Sequence, residues 1–414
     1  MNIVMIGPFG PGAQDTSRLR ALPMAQALAA RGHSVTLLVP PWADPADAGR
    51  AREAVGLRVV HVALPPKLPL LFDAWLTLRL ARQALALRPE VVHCFKPKAY
   101  SGLACSLLGW LRRLRPKLRA GLRLVVDVDE NAAAAYSPAQ RWGFGRQERW
   151  GLAHADAVVA ASRGLVNLIE EMGVPSLRIF YVPNGVRALA EQAGPGSISA
   201  EAGHPEGTGH PAGTEHPASA GQVVRMLWEL DDAAIVLLYT DFFEFRLERI
   251  VEILRRAVAQ VPHLRLLVLG EGPLGEESEL DELLTGAGLS EYAVFTGWVE
   301  AEHLSGYFAA ADATIFPCDD TLLNRVRHPA KLVDVLAAGL PVVADAVGQN
   351  AEYIADGASG LLVPAEDDAA LAEAMVRLLQ DAELRARLGT AAARRVQEHF
   401  DWSELAEQVE RAYR

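Results

Sequence analysis

Pro329-Ala-Lys331-Leu-Val-Asp334-Val-Leu-Ala-Ala-Gly339-Leu-Pro341-Val-Val-Ala344 decides how this 414-residue chain is read. Proline suits a first helical turn and glycine the position just past a helix, so the run predicts a sharply bounded helix followed by a strand. Leu332, Val333 and Leu336 form the apolar face of that helix. Lys331 and Asp334, three residues apart, share another face. The strand Pro341 to Asp345 then hands the chain to Gly348-Gln349-Asn350-Ala-Glu352. Segments just beyond strand C-termini are where open α/β sheets bind ligands. A helix whose N-terminus points there offers free amides and a positive dipole end to phosphate. Asp334, one turn further in, can accept hydrogen bonds from two ribose hydroxyls. Taken alone, Lys331 and Asp334 also read as a plain surface ion pair. The whole stretch from His328 to Pro364 favours the ligand.

Working outward, short apolar strands alternate with longer amphipathic helices on both sides of this run, the pattern of βαβ units and a parallel sheet. Strands are predicted at Ile3-Ile6, Ser34-Val39, Arg58-Val62, Val91-Phe95, Leu124-Val128, Ala157-Ala161 and Phe180-Val182. A second set follows at Ile235-Thr240, Leu264-Gly270, Ala293-Phe295, Thr314-Pro317, Pro341-Asp345 and Gly360-Val363. Between the sets the composition turns to Gly, Ala, Ser, Glu, Pro and His, with His204, His210 and His216 each before a proline. That predicts a disordered linker. The expected division is an N-terminal domain over 1–187, joined by a tail helix over 399–414, a linker over 188–222, and a C-terminal domain over 223–398. A length of 414 residues suits two such α/β domains.

Half the residues are hydrophobic and 22% charged, as in a globular enzyme with a large core. The net charge of −11 argues against a nucleic-acid partner. Cys94, Cys105 and Cys318 form no CxxC and stand near no His pair, which points away from zinc and disulfides and toward a cytoplasmic compartment. The longest apolar run, near Ala99 to Leu111, is shorter than the ~20 residues of a membrane span.

The ordered motifs resemble the family 4-like retaining glycosyltransferases (group 1), whose GT-B fold sets two Rossmann-like domains across a cleft, with a C-terminal helix crossing back. The resemblance is carried by Ala337-Ala-Gly339-Leu-Pro341-Val-Val-Ala344 and Glu352-Tyr-Ile354-Ala-Asp356-Gly357, and by Ala30-Arg-Gly32-His33. Arg88-Pro-Glu-Val-Val-His93, Val182-Pro-Asn184-Gly185, Leu267-Val-Leu-Gly270-Glu-Gly272 and Phe295-Thr-Gly297-Trp298 complete it. It implies a nucleotide-sugar donor, an acceptor hydroxyl on a sugar or lipid-linked sugar, and no metal or other cofactor. On the donor side it implies Asp334 at the ribose and Gly297 and Trp298 flanking the base. Arg246, Arg249, Lys331 and the Gly348, Gln349, Asn350, Glu352 loop would face the diphosphate or sugar.

Four positions depart from the family pattern. Asp334 stands where the family has Glu, and Val326 where it has a first acidic residue. Asp241 stands at a phosphate-binding arginine position, and Asp129 at a His that helps place the acceptor. A carboxylate can take over that role by accepting a hydroxyl proton, so Asp129 and Glu130 are the candidate catalytic pair. Asp127, Asp129 and Glu130 also look like a metal site, a reading disfavoured because nothing else supplies ligands. His93 reads either as a structural histidine or as a cleft residue beside Lys96. The loop with Gly10 and Gly12, with Arg18 after it, is a candidate acceptor or phosphate loop. Its G-x-x-G-x-G spacing from Gly7 is not the dinucleotide fingerprint.

Finally, Arg112, Arg113, Arg115, Lys117, Arg119 and Arg123 interleave with leucines over 111–123. That reads either as a solvated connector or as a segment lying on an anionic membrane face. The leading expectation is a retaining glycosyltransferase, cytoplasmic or peripheral at the inner membrane face. The alternatives are a nucleotide-sugar epimerase or hydrolase on the same fold, and a non-catalytic sugar-nucleotide-binding protein.

Overall fold

The computed structural model describes residues 1–7, 20–41, 45–54, 56–65, 71–115, 121–129, 138–186 and 217–414. The chain divides into two compact units. The first holds Met1–His204, Val326–His328 and Phe400–Arg414, and the second Pro205–Arg325 and Pro329–His399. Val326–His328 belongs to the first unit, although it lies within the span 223–398 that the sequence assigns to the C-terminal domain.

The first unit is built on an eight-stranded sheet: β1 (Asn2–Ile6), β2 (Ser34–Val39), β3 (Ala51–Ala54), β4 (Leu57–His61), β5 (Val91–Phe95), β6 (Arg123–Val128), β7 (Ala157–Ala160) and β8 (Ile179–Tyr181). Its order is β3-β4-β2-β1-β5-β6-β7-β8. All pairs are parallel except β3–β4. The missed strand β3, Ala-Arg-Glu-Ala, has no apolar signature because it is a polar edge strand.

Central strands are mostly apolar because both faces are covered. On one face Met24, Leu28, Trp402, Leu405 and Val409 pack against Ile3, Met5 and Val159. On the other, helices Leu71–Ala86, Ala99–Leu114, Pro138–His154 and Arg163–Glu171 contribute Leu76, Leu80, Ala104, Leu108, Leu152 and Leu165.

The tail helix Trp402–Tyr413 is thus part of the first core. Glu410 fastens it by accepting from Arg31 Nε at 2.6 Å, and His33 Nε2 lies 3.0 Å from the same carboxylate. The Arg31 hydrogen bond, with help from His33, pulls the Glu410 carboxyl down to about 2. A depressed acid stabilises the folded state above its unfolded pKa, and that contribution is lost as pH falls through the folded value. Tail docking is therefore expected to weaken as pH drops from 4.5 toward 2. Glu410→Gln should flatten that part of the stability profile, measured by urea denaturation across pH.

The second unit has a six-stranded, wholly parallel sheet: β9 (Ala234–Tyr239), β10 (Leu264–Leu269), β11 (Ala293–Gly297), β12 (Ala313–Phe316), β13 (Val342–Asp345) and β14 (Leu361–Val363). The order is β11-β10-β9-β12-β13-β14. Helix Leu247–Val258 and helix Asp368–Gln380 cover one side with Ile250, Leu254, Leu371 and Met375. Helix Asp368–Gln380 ends at Asp381, whose carboxylate accepts from Leu384 N at 2.8 Å to start a new helix, Ala382–His399.

One boundary is corrected. Residues 217–222, placed in the linker by composition, begin the helix Pro217–Leu227. The small residues that suggested flexibility serve close packing instead. A side chain on Gly221 would press 2.8 Å from the Ala309 backbone, and Gly306 faces Ala220 and Val224 at 3.5–3.6 Å. The remaining linker, including His204, His210 and His216, lies outside the described residues.

Candidate functional site

Helix Ala330–Ala337 is bounded as expected, with Pro329 at its N-cap. Gly339 takes φ +77° past its end, and Gly339 N and Leu340 N donate to Leu336 O and Val335 O. This double bond to the last turn is the Schellman closure. The closure fixes the helix against β13 and directs its first turn to the C-terminal edge of the sheet.

There Lys331 is buried, and its Nζ has three partners. It donates to Thr240 O at 2.7 Å, pairs with Asp241 Oδ1 at 2.9 Å, and lies 4.3 Å from the Tyr239 ring centre. Gly270, at φ +125°, allows this approach: a Cβ there would run into the Thr240 carbonyl and stand 3.5 Å from Lys331 Nζ. Asp334 is exposed on the same helix. Burial, then the charges of Asp334 and Asp241, push the Tyr239 phenol above its ordinary value. Lys331, Asp334, Asp241 and Tyr239 therefore form one cluster. Lys331 thus has Asp241 as an ion-pair partner, and that pairing offsets the carboxylate's charge at the site.

The adjacent loops come from β10 and β11. Gly297 leads into Trp298, which is 38% exposed, donates from its backbone N to Glu271 Oε1 at 3.1 Å, and donates from Nε1 to Glu300. The loop after β13 is packed more tightly than the sequence suggests. Gly348, at φ +53°, lies against the Asn324 and Arg325 backbone, where a Cβ would collide. Gln349 is buried, and the buried Asn350 donates from Nδ2 to Asp345 O at 3.0 Å. Glu352 is half-buried, and its carbonyl accepts from Arg395.

The two arginines part company. Arg246 remains 65% exposed on its side chain while pairing with Asp319 and Glu366. Arg249, expected to face a diphosphate, is buried among Asp319 (3.0 Å), Asp345 (2.9 Å) and Asp368 (2.7 Å). Burial works against its charge, but the three carboxylates more than compensate and hold it firmly protonated. Arg249 is a strut that ties β12, β13 and helix Asp368–Gln380 together, and it is withdrawn from the donor contacts. Asp319, Asp345 and Asp368 escaped the sequence reading. The one available signal was Asp345, an acid closing the otherwise apolar strand Val-Val-Ala-Asp.

In the first unit, Lys96 and Asp129 meet beyond the C-termini of β5 and β6, with Nζ and Oδ1 3.9 Å apart. Lys96 is held in the left-handed region at φ 50°. Asp127 belongs elsewhere. Its carboxylate accepts from Arg20 Nε at 2.7 Å and lies 3.2 Å from His93 Nε2, and His93 Nδ1 lies 2.7 Å from Tyr413 Oη. All four side chains are buried. Burial raises the Asp127 carboxyl, but Arg20 and His93 together outweigh it and hold it below its ordinary value. His93 therefore takes its structural reading, and Asp127 is committed to the core. Glu130, Gly10, Gly12 and Arg18 lie outside the described residues, as do Lys117 and Arg119.

Comparison with known proteins adds the family. A glycosyl transferase 4-like domain matches residues 17–185, and a glycosyl transferases group 1 domain matches residues 238–381. The chain is 35% identical over 167 residues to the D-inositol 3-phosphate glycosyltransferase of Frankia alni, covering 39% of each protein. It is 35% identical over 150 residues to the phosphatidyl-myo-inositol mannosyltransferase of Mycobacterium leprae, covering 36% of this chain and 37% of that one. The match therefore spans about two fifths of these relatives' length. Among solved structures, sucrose-phosphate synthase from Thermosynechococcus elongatus superposes with a TM-score of 0.70 at 22% identity, over 100% of this chain and 98% of that one. HepE of Anabaena, in complex with UDP and glucose, gives 0.68 at 15% identity over 99% of both. The two parallel-sheet units are those of the GT-B fold. The chain belongs to the 4-like, group 1 glycosyl transferases.

Proposed function

We propose that this chain is a retaining glycosyltransferase, moving a sugar from a nucleotide-sugar donor to an acceptor hydroxyl. The observation that carries the reading is the Lys331–Asp334 helix, seated with Tyr239 and Asp241 at the C-terminal edge of the second sheet. The names of the relatives support it, since they include glycosyl- and mannosyltransferases acting on inositol-containing acceptors. A structural neighbour carrying UDP-glucose supports the donor class.

In this reading Asp334 accepts from the ribose hydroxyls and Trp298 flanks the base. Arg246 and Lys331 stand toward the diphosphate or sugar, together with amides of the Gly348 loop. Positioning and charge stabilisation of the departing diphosphate by side chains and amides supply most of the catalysis, without a metal ion. In the first unit, Asp129 accepts the acceptor's hydroxyl proton, with Lys96 beside it.

The test is a thermal-shift screen against UDP-, GDP-, ADP- and TDP-sugars, followed by product analysis with a labelled donor. A donor at ~100 times its dissociation constant adds about 2.7 kcal/mol of stability. Asp334→Ala is expected to weaken that donor about ten- to hundredfold, the effect of losing hydrogen bonds to a charged group. No shift with any donor, or release of free sugar with every acceptor offered, overturns the proposal.

A further inference from the structure

Helices Leu71–Ala86, Ala99–Leu114 and Pro138–His154 lie side by side on one face of the first sheet and share its core beneath them. Their outer side is unlike the rest of the surface. Trp75, Leu78, Trp110, Leu114 and Trp142 are exposed there, Trp110 by 53% and Trp142 by 70%. Other exposed large apolar residues of this unit, such as Leu177 and Met172, belong to other segments.

The charge is equally skewed. The three helices carry seven arginines against two carboxylates, Asp73 and Glu148, in a chain of net charge −11. Glu148 is buried, while Arg82, Arg113, Arg146 and Arg149 are exposed. Arg79 lies over the Trp75 ring at 4.6 Å and Arg146 over Trp142 at 5.2 Å. Cationic and aromatic groups are thus interleaved on one layer. Bilayer interfaces favour this mixture, with tryptophan at headgroup depth and arginine against anionic lipid.

We propose that this three-helix face docks on an anionic lipid bilayer. The surface shares Arg113 and Leu114 with the basic stretch at 111–123 suggested by sequence but is otherwise different. Arg112 is spent on Asp156 at 2.8 Å, and Arg123 on the carbonyls of Ala412 and Arg414. The docking face instead extends across neighbouring helices, with tryptophans as its anchors. It goes beyond the transfer reading and does not rest on it, since vesicle binding is measured without donor or acceptor.

The test is flotation of the full chain with phosphatidylcholine vesicles, with and without phosphatidylglycerol. Wild type is expected to float only with the anionic vesicles and to be released by salt. Trp110→Ser/Trp142→Ser and Arg82→Glu/Arg113→Glu should each weaken binding about tenfold or more. Unchanged thermal melting of these variants, whose substituted residues are exposed, separates lost docking from lost folding. Quenching of tryptophan fluorescence by brominated lipid should fall sharply in the tryptophan variant, which keeps only Trp75 of the three exposed tryptophans named on this face. Failure to float with anionic vesicles, equal binding by the variants, or a dimer that these substitutions break would each overturn the proposal.

Discussion

Arg249→Met is expected to destabilise the second unit by about 3–5 kcal/mol, the cost of removing one partner from a buried ion pair. Asp345 is fully buried, and its carboxylate also accepts from Cys318 N at 2.7 Å and Glu366 N at 3.1 Å. Without Arg249 it keeps those two amides but loses its counter-charge. Burial already pushes the Asp345 carboxyl above its ordinary value despite the arginine, so the variant should take up a proton more readily still. A raised carboxyl favours the folded state at low pH and loses that contribution as pH rises through its folded value. The deficit should therefore narrow on acidification. Urea denaturation at neutral and acidic pH checks both parts, and a neutral-pH midpoint equal to wild type would sink the strut assignment.

Arg20→Met should have a comparable effect on the first unit, again about 3–5 kcal/mol. Here the stranded group is Asp127, which among the described residues would keep the His93 ring as its side-chain partner. The pH dependence has the opposite sign. Asp127 is held below its ordinary value, so its stabilisation is present above the unfolded pKa and fades as pH falls through the folded one. Arg20→Met/Asp127→Asn should recover part of the loss, because the pair is directly coupled and the effects of neighbouring sites do not add. Additive losses in that cycle would mean the two side chains act independently.

Much of this architecture was legible because apolar periodicity reports burial. Ser34–Val39 and Val91–Phe95 were bounded to the residue, since each is a run of buried side chains flanked by polar positions. The helix at Pro217–Leu227 was hidden for a physical reason: glycine and alanine mark both flexible chain and tight helix contacts, and composition cannot separate them. The candidate site was legible in its positions but not in its pairings. Arg249 finds its carboxylates 70, 96 and 119 residues away, and Lys331 finds Thr240 at a distance of 91. Separations of that size depend on which strands become neighbours. The same holds for His93, whose partner Tyr413 is 320 residues along the chain.

The return of helix Trp402–Tyr413 to the first sheet bears on how the chain is made. A ribosome delivers about 5–20 residues per second, so roughly ten to forty seconds separate the last strand of this unit from the helix that seals it. Throughout that interval Ile3, Met5 and Val159 lack the cover of Trp402, Leu405 and Val409. The unit begun first is finished last, and its bare face is a natural client for a chaperone during synthesis.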